Sequence, residues 1–440
     1  MDQRRRMLIL VGVLCLLTLA LGVQAVVIDR DAQATTYGEP YPGNTLISVH
    51  SWDDDGALVE VNPEGEVVWH WTLENSRVFG AEHVADDRVL VAVGVVIEAR
   101  DCPEEHTTHE DFSQWQDHCV LNRVIELDKE SQEPVWEYSW YDDFIHWHEV
   151  HDVERLDNGE TAVIDMGQNR VFTVNRSGEI TWEWQAEPHL DEGSPFFEEH
   201  VPDHLKDDLR KKGPRDDWTH MNDIAQLENG NFQMSIRNYD VIIEVDPETD
   251  EIVDFVGEPG NHDIMNHQHN PHRLEAHGTM LVADSENNRI IELDLETEEI
   301  IWQYTGPEDD QLQWPRDGSR LPNGNTLITD SRNNRILEID PQGELVWEFH
   351  DPDGELIPLP YEADRIGANE LPDAPPGYEL ETIAEDPGAV GLVEEASTLA
   401  HWVLPTWMHL PQQLNLLAIV VTGLWLTGEL GLFGWRRYRG

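Results

Sequence analysis

Short apolar runs separated by tight turns recur through the middle of the chain. Residues 151–156 lead into the turn Asp157-Asn158-Gly159, and a second run covers 160–165. After Gly167-Gln168-Asn169 come a third run over 170–174, the turn Arg176-Ser177-Gly178 and a fourth run over 180–184. Asn-Gly between such runs is a strong hairpin signal, so the stretch predicts four short antiparallel strands. The same arrangement returns over 222–255, 269–304 and 316–349, and two looser copies close at 67–71 and 134–138. The closing run usually carries Trp-x-aromatic: Trp69/Trp71, Trp136/Tyr138, Trp182/Trp184, Trp302/Tyr304 and Trp347/Phe349. Trp136 and Trp182 lie 46 residues apart, Trp302 and Trp347 45. Four strands at that period make a β-propeller blade. Six copies fit between Thr45 and Phe349, predicting an all-β, six-bladed propeller. Helical repeats of similar length are excluded by the Val, Ile and Trp content of the runs.

The ends of the chain are patterned differently. Arg4-Arg5-Arg6 precedes an apolar run over 7–28, and a second run covers 414–435, interrupted by Glu429 and followed by Arg436, Arg437 and Arg439. About 20 apolar residues suffice for a membrane-spanning helix. Basic residues at both outer ends predict two cytoplasmic termini (1–6 and 436–440) and a propeller outside the cell membrane. Val23-Gln24-Ala25 offers the alternative, a cleaved signal peptide. Between the ends, 29–349 is assigned to the propeller, with insertions at 101–119 and 188–217. The acidic, Pro/Gly-rich stretch 350–411 reads as a linker, with a surface helix expected near 396–404. Cys102 and Cys119 flank the first insertion, and outside the cytoplasm the default is a disulfide between them. A Cys/His metal site with His106, His109 or His118 is the lesser alternative.

Charge changes the picture further. The chain has 88 acidic and 28 basic residues, a formal net charge of −60, and only four of the basic residues are lysine. Such a surface repels nucleic acid. Its self-repulsion is relieved where salt shortens the Debye length, so a salt-adapted, halophilic protein is expected. With 39% apolar residues and 17 tryptophans, the chain has the means to fold despite its charge.

Blade topology converts the repeat into a candidate site. The residues just before each inner strand and those in the connection between second and third strands meet at one mouth of the channel. Five residues before the recurring leucine stand His151, Asn222, His269 and Arg316 in four successive blades. Two residues earlier come His220 and His267, while His146 and His148 precede His151, and His272 follows His269. The second-to-third connection reads Asp…Asn-Arg in three blades, with Arg170, Arg289 and Arg335 expected to pair structurally with their aspartates. In the fourth blade it reads Ser235-Ile236-Arg237-Asn238-Tyr239, which puts Arg237 beside His220. Convergent titratable groups in a cleft mark a functional site. Trp147, Trp218 and Trp314 precede the mouth and are candidates to flank an aromatic ring.

The set His151-Asp152, Trp218-Thr219-His220-Met221-Asn222, Ser235-Ile236-Arg237 and Gln268-His269 on such a propeller resembles the PAPS-independent aryl sulfotransferases. The resemblance runs over 146–349 and is strongest over 218–274. It implies sulfuryl transfer from a phenolic sulfate ester to a phenol through a transiently sulfated histidine. By that resemblance His269 is the nucleophile, Arg237 grips the sulfate, and His220, Asn222 and His151 match further active-site positions. His267, His272, Arg316 and Trp218 join them as candidate substrate-binding residues, and neither a cofactor nor a metal ion is expected. The partners implied are an aryl sulfate, a phenol and the membrane. The family's disulfide lies elsewhere, and the C-terminal apolar run is additional. Chemically, a neutral imidazole attacks sulfur, an arginine stabilises charge on the sulfuryl oxygens, and the kinetics are ping-pong.

Two readings compete. His267, His269 and His272 lie close enough in sequence to suggest zinc or copper and a metal-dependent hydrolase or oxidoreductase, although Arg237 and Arg316 suit an anion better. A non-catalytic cell-surface propeller is the third, since fold alone does not specify function.

Overall fold

The computed structural model describes residues 3–27, 32–51, 55–107, 118–143, 147–213, 216–307, 310–368, 371–376, 404, 408 and 410–439. The expected surface helix near 396–404 lies outside them, apart from Leu404. The chain divides into a unit of Met1–Ala32 with Pro387–Gly440 and a unit of Gln33–Asp386. In the smaller unit, the helices Gln3–Val27 and Leu410–Arg439 pack on each other, with Arg6 3.8 Å from Glu429. Both are long and apolar enough to cross a membrane.

The larger unit is a six-bladed β-propeller of antiparallel sheets. Its inner strands are Ser76–Ala85, Val150–Arg155, Met221–Gln226, His269–Leu274, Asp317–Arg320 and, closing the first blade, Pro360–Arg365. That last strand corrects the sequence assignment. The first copy of the repeat supplies only three strands, Thr45–Val49, Gly56–Val61 and Val67–Leu73, and Thr45–Val49 pairs with Pro360–Arg365 from the stretch read as linker. The propeller is therefore closed by joining its two ends within one sheet, which leaves no open edge at the ring's seam. Gln33–Thr36 adds a fifth, outermost strand to the sixth blade.

The repeated tryptophans join neighbouring blades. The indole N–H of Trp69 donates to the Lys129 carbonyl (2.9 Å), Trp136 to Arg176 (3.1 Å), Trp184 to Asp250 (3.1 Å) and Trp347 to Pro63 (2.8 Å). Each bond runs from one blade's outer strand to a turn of the next, while the ring fills the space between sheets. The Asp–Arg pairs of the second-to-third connections are structural, as expected: Arg170–Asp165 at 2.8 Å, Arg289–Asp284 at 2.6 Å and Arg335–Asp330 at 2.7 Å.

Around the axis, acids on one inner strand accept backbone N–H groups of the next. Asp152 takes the Ile224 N–H (2.9 Å), Asp317 the Ala363 N–H (3.1 Å) and Glu362 the Ala81 N–H (3.0 Å). Burial pushes Asp152 and Asp317 up to about 7. Gly80 belongs to this layer because a Cβ there would lie 2.0 Å from the Asp152 carboxylate.

The first insertion is stapled by a Cys102–Cys119 disulfide with Cα atoms 6.1 Å apart. In the second, Pro195–His200 is a short helix capped by Ser194, and Phe196, Phe197 and Leu190 join the hydrophobic core.

Candidate active site

Residues at or beside the starts of five inner strands, with Phe79 from within the sixth, form a ring with Tyr361 as its hub. Its side chain lies 5.5 Å from the rings of Phe79 and His151, 6.1 Å from His269 and 5.0 Å from the Arg316 guanidinium. Its hydroxyl donates to the Asn222 carbonyl at 3.1 Å. The four positions deduced from the sequence, His151, Asn222, His269 and Arg316, thus converge as expected. Phe79 and Tyr361 complete the ring from the other two blades.

The residues just before the ring positions hold a strained backbone. His220, His267, Trp314 and Leu359, each two residues before its ring residue, have φ values of 48°, 53°, 52° and 57°. Non-glycine residues hold such a left-handed conformation only when the surroundings fix it. Here the preceding blade does so: Asp240 accepts the His267 N–H, Asn288 the Trp314 N–H and Asn334 the Leu359 N–H, all within 2.9 Å.

His269 is buried. Its Nδ1 lies 2.8 Å from Ser285 Oγ, and that hydroxyl has the Pro315 carbonyl at 2.6 Å and the Ala283 carbonyl at 3.3 Å. A hydroxyl has one hydrogen, and two carbonyls compete for it. Ser285 must therefore accept from His269, so the proton sits on Nδ1 and Nε2 keeps its lone pair. Burial first, then Arg316 and Arg237, hold this imidazole well below its ordinary pKa and therefore neutral.

His220 is oriented by Asp217, whose Oδ1 accepts from Nδ1 at 2.7 Å. Burial opposes ionisation of Asp217, but His220 and Arg237 keep it low, so a carboxylate backs the imidazole. The His151 ring lies 5.3 Å from that of His220, and burial, then His220 and Arg316, keep it neutral. Arg237 begins the short turn after the second strand of its blade, where the next blade has Ser285. It donates to Asn238 Oδ1 (2.7 Å), lies 3.6 Å from Glu286, and its Nε has no partner.

Two sequence candidates fall elsewhere. His272 has both ring nitrogens occupied: Nδ1 accepts the Arg320 N–H and Nε2 donates to the Leu371 carbonyl, each at 3.2 Å. A bulge after His269 shifts the strand register and takes it out of step with the site. Trp218 is buried against the second insertion, its indole donating to the Leu209 carbonyl at 2.7 Å and to the Tyr239 hydroxyl at 3.0 Å. Both residues serve packing. His267 stays at the rim, where burial and Arg237 lower its pKa to about 3. Asn222 is buried, with Nδ2 donating to the Gln268 carbonyl at 2.8 Å. Among the described residues no three His, Cys, Asp or Glu side chains are grouped to hold a metal ion.

Sequence reasoning missed Tyr361, Ser285, Asp217, Phe79 and His50. His50 packs 4.9 Å from Phe79, and its pKa is lowered by burial, then by Arg316 and Arg77. Tyr361 had a legible signal. Tyr361-Glu362-Ala363-Asp364-Arg365 repeats the chemistry of His151-Asp152-Val153-Glu154-Arg155, residue for residue.

Residues 166–351 match the arylsulfotransferase (ASST) family model. The match spans His220, Arg237, His269, Ser285 and Arg316, and His151 and Tyr361 lie outside it. No curated protein matches the chain. Among solved structures, a protein of unknown function from Bacteroides caccae is 15% identical at a TM-score of 0.50, over 73% of this chain and 98% of that one. A nidogen/laminin complex matches at 10% identity and a TM-score of 0.44, over 73% and 97%. An inactive virginiamycin B lyase from Staphylococcus aureus, bound to quinupristin, matches at 10% and 0.39, over 73% and 89%. At 15% identity the likeness to the Bacteroides protein is one of fold.

Proposed function

We propose that the chain is an aryl sulfotransferase working through a sulfated His269. The observation that carries this reading is the His269–Ser285 hydrogen bond, which leaves Nε2 a free base on a neutral, buried imidazole. The family match over 166–351 supports it. In the first half-reaction Nε2 attacks sulfur, the S–N bond forms, and the S–O bond breaks with its electron pair on the aryl oxygen. Arg237 stabilises the charge on the sulfuryl oxygens. In the second, a phenol attacks the same sulfur and His269 departs. The phenol's proton goes to His220, backed by Asp217, with His151 close enough to share it, and passes to the next leaving phenolate. His267 and Asn222 are assigned to substrate binding.

The two terminal helices support a membrane-anchored enzyme. Basic residues outside both apolar runs and the Cys102–Cys119 disulfide favour an extracytoplasmic propeller with cytoplasmic termini. The acidic excess favours a salt-rich setting. Steady-state rates of the detergent-solubilised full chain test the reaction, with 4-nitrophenyl sulfate and phenol both varied. Parallel double-reciprocal lines are expected. Absence of nitrophenol release under any salt condition contradicts the reading.

A further inference from the structure

Buried arginines in this propeller have acidic partners, with one exception in the ring. Arg320 pairs with Glu292 and Arg365 with Glu338, each at 2.9 Å, besides the Asp–Arg pairs of the blade connections. Arg316 is equally buried at 5% exposure, yet no carboxylate lies within ion-pairing distance among the described residues, and its Nε and Nη1 have no hydrogen-bond partner. Leaving a buried charge without a partner is costly unless something arrives to meet it. The guanidinium stacks on Trp314, 4.0 Å from the ring centroid, with the Tyr361 ring at 5.0 Å. A cation–π contact of this kind engages the face of the guanidinium and leaves its N–H donors for a ligand.

Topology says where that ligand sits. His269 starts the inner strand of the fifth blade, Arg237 comes from the fourth, and Arg316 directly precedes the inner strand of the sixth. Two guanidinium-bearing blades therefore flank the imidazole. The Ser285 hydroxyl that holds His269 is also bonded to the carbonyl of Pro315, the residue before Arg316, so one side chain registers both.

We infer that Arg316 is a second grip for the sulfuryl group, reaching it from the blade on the other side of His269 from Arg237. The inference rests on the sulfotransferase reading for its reaction. The grip itself requires only a tetrahedral oxyanion. Arg237 already has Glu286 nearby, so Arg316 supplies the unbalanced charge that draws the anion in. Burial, which lowers Arg316 to about 9, is relieved when an anion binds. The resting enzyme is then a receptor for inorganic sulfate, which competes with the sulfuryl donor.

The test uses the detergent-solubilised full chain at constant ionic strength, with chloride as the balancing anion. Sulfate binding is measured by calorimetry, and kcat and KM with 4-nitrophenyl sulfate, for the wild type, Arg316→Lys and Arg316→Gln. We expect sulfate to bind the wild type and to inhibit competitively. Arg316→Gln should lose sulfate binding and raise KM about ten-fold or more, with Arg316→Lys between them. An Arg316→Gln protein that melts like the wild type and keeps both sulfate affinity and KM overturns the inference, while nitrophenol release leaves the sulfotransferase reading intact. Conversely, sulfate bound by the wild type and lost in Arg316→Gln, without nitrophenol release, supports the grip and removes the reaction. Should Arg316→Gln not fold, unchanged sulfate affinity in Arg316→Lys with no competition in the wild type overturns it.

Discussion

Ser285 accepts a hydrogen bond from His269, at 2.8 Å between Oγ and Nδ1, because its own hydrogen goes to a backbone carbonyl. This one contact decides which ring nitrogen carries the proton and which keeps its lone pair. Replacing Ser285 with Ala frees the ring to rotate and to protonate on either nitrogen. We expect kcat to fall roughly 10- to 100-fold, as when the partner orienting a metal-bound histidine is removed, with KM little changed. Initial rates with 4-nitrophenyl sulfate check this, and an unchanged kcat removes the orienting role.

The pH profile follows from neutral imidazoles. His151, His220 and His269 all have pKa values lowered chiefly by burial, so they stay unprotonated above those lowered values. Protonation of His269 removes its lone pair, and activity is then lost as pH falls. The acid limb of kcat/KM should therefore lie below the ordinary histidine value of about 6.5. Asp217→Asn removes the charge behind His220 and should lower kcat, by about 100-fold or more if the dyad is the base. An acid limb centred near 6.5 in the wild type contradicts the neutral cluster.

The closing strand has a consequence for truncation. A chain ended after Phe349 keeps every copy of the repeat visible in the sequence but lacks Pro360–Arg365, the inner strand of the first blade. It also lacks Tyr361 at the hub of the ring. Such a chain should show no cooperative thermal transition, whereas one ended after Pro376 should retain it. Calorimetry on the two proteins distinguishes these outcomes.

Reduction of the disulfide should act on stability and spare chemistry. Closing a loop of this size, with Cys102 and Cys119 at a sequence separation of 17, is worth about 3 kcal/mol on the chain-entropy account. Cys102→Ser with Cys119→Ser should lower the melting temperature and leave kcat at 25 °C unchanged. Loss of kcat without a change in melting would assign the loop a role at the site.

The repeat was legible because hairpin turns and tryptophans serve the same purpose in every blade, and the ring residues followed from register. His151, Asn222, His269 and Arg316 stand at or beside the start of their inner strands, five residues before the leucine, so counting from the leucine located them. Register says less about whether a polar group is already satisfied. His272 and Trp218 carry suitable side chains in nearby positions, and only three-dimensional partners, Leu371, Arg320 and Leu209, show that they are spoken for. Ser285 and Asp217 were missed because their importance lies in what they hold. Tyr361 was hidden by composition: the surrounding Pro, Gly and acidic residues read as linker, although its five-residue motif copies that of the third blade.

The central claim is that His269 carries the sulfuryl group, and intact-mass analysis of the full chain tests it most directly. After brief exposure to 4-nitrophenyl sulfate without acceptor, the account predicts a mass gain of one sulfuryl group, mapped to His269 and discharged by added phenol. His269→Ala should show no gain. Nitrophenol release with no adduct at His269, or an adduct that survives phenol, would contradict it.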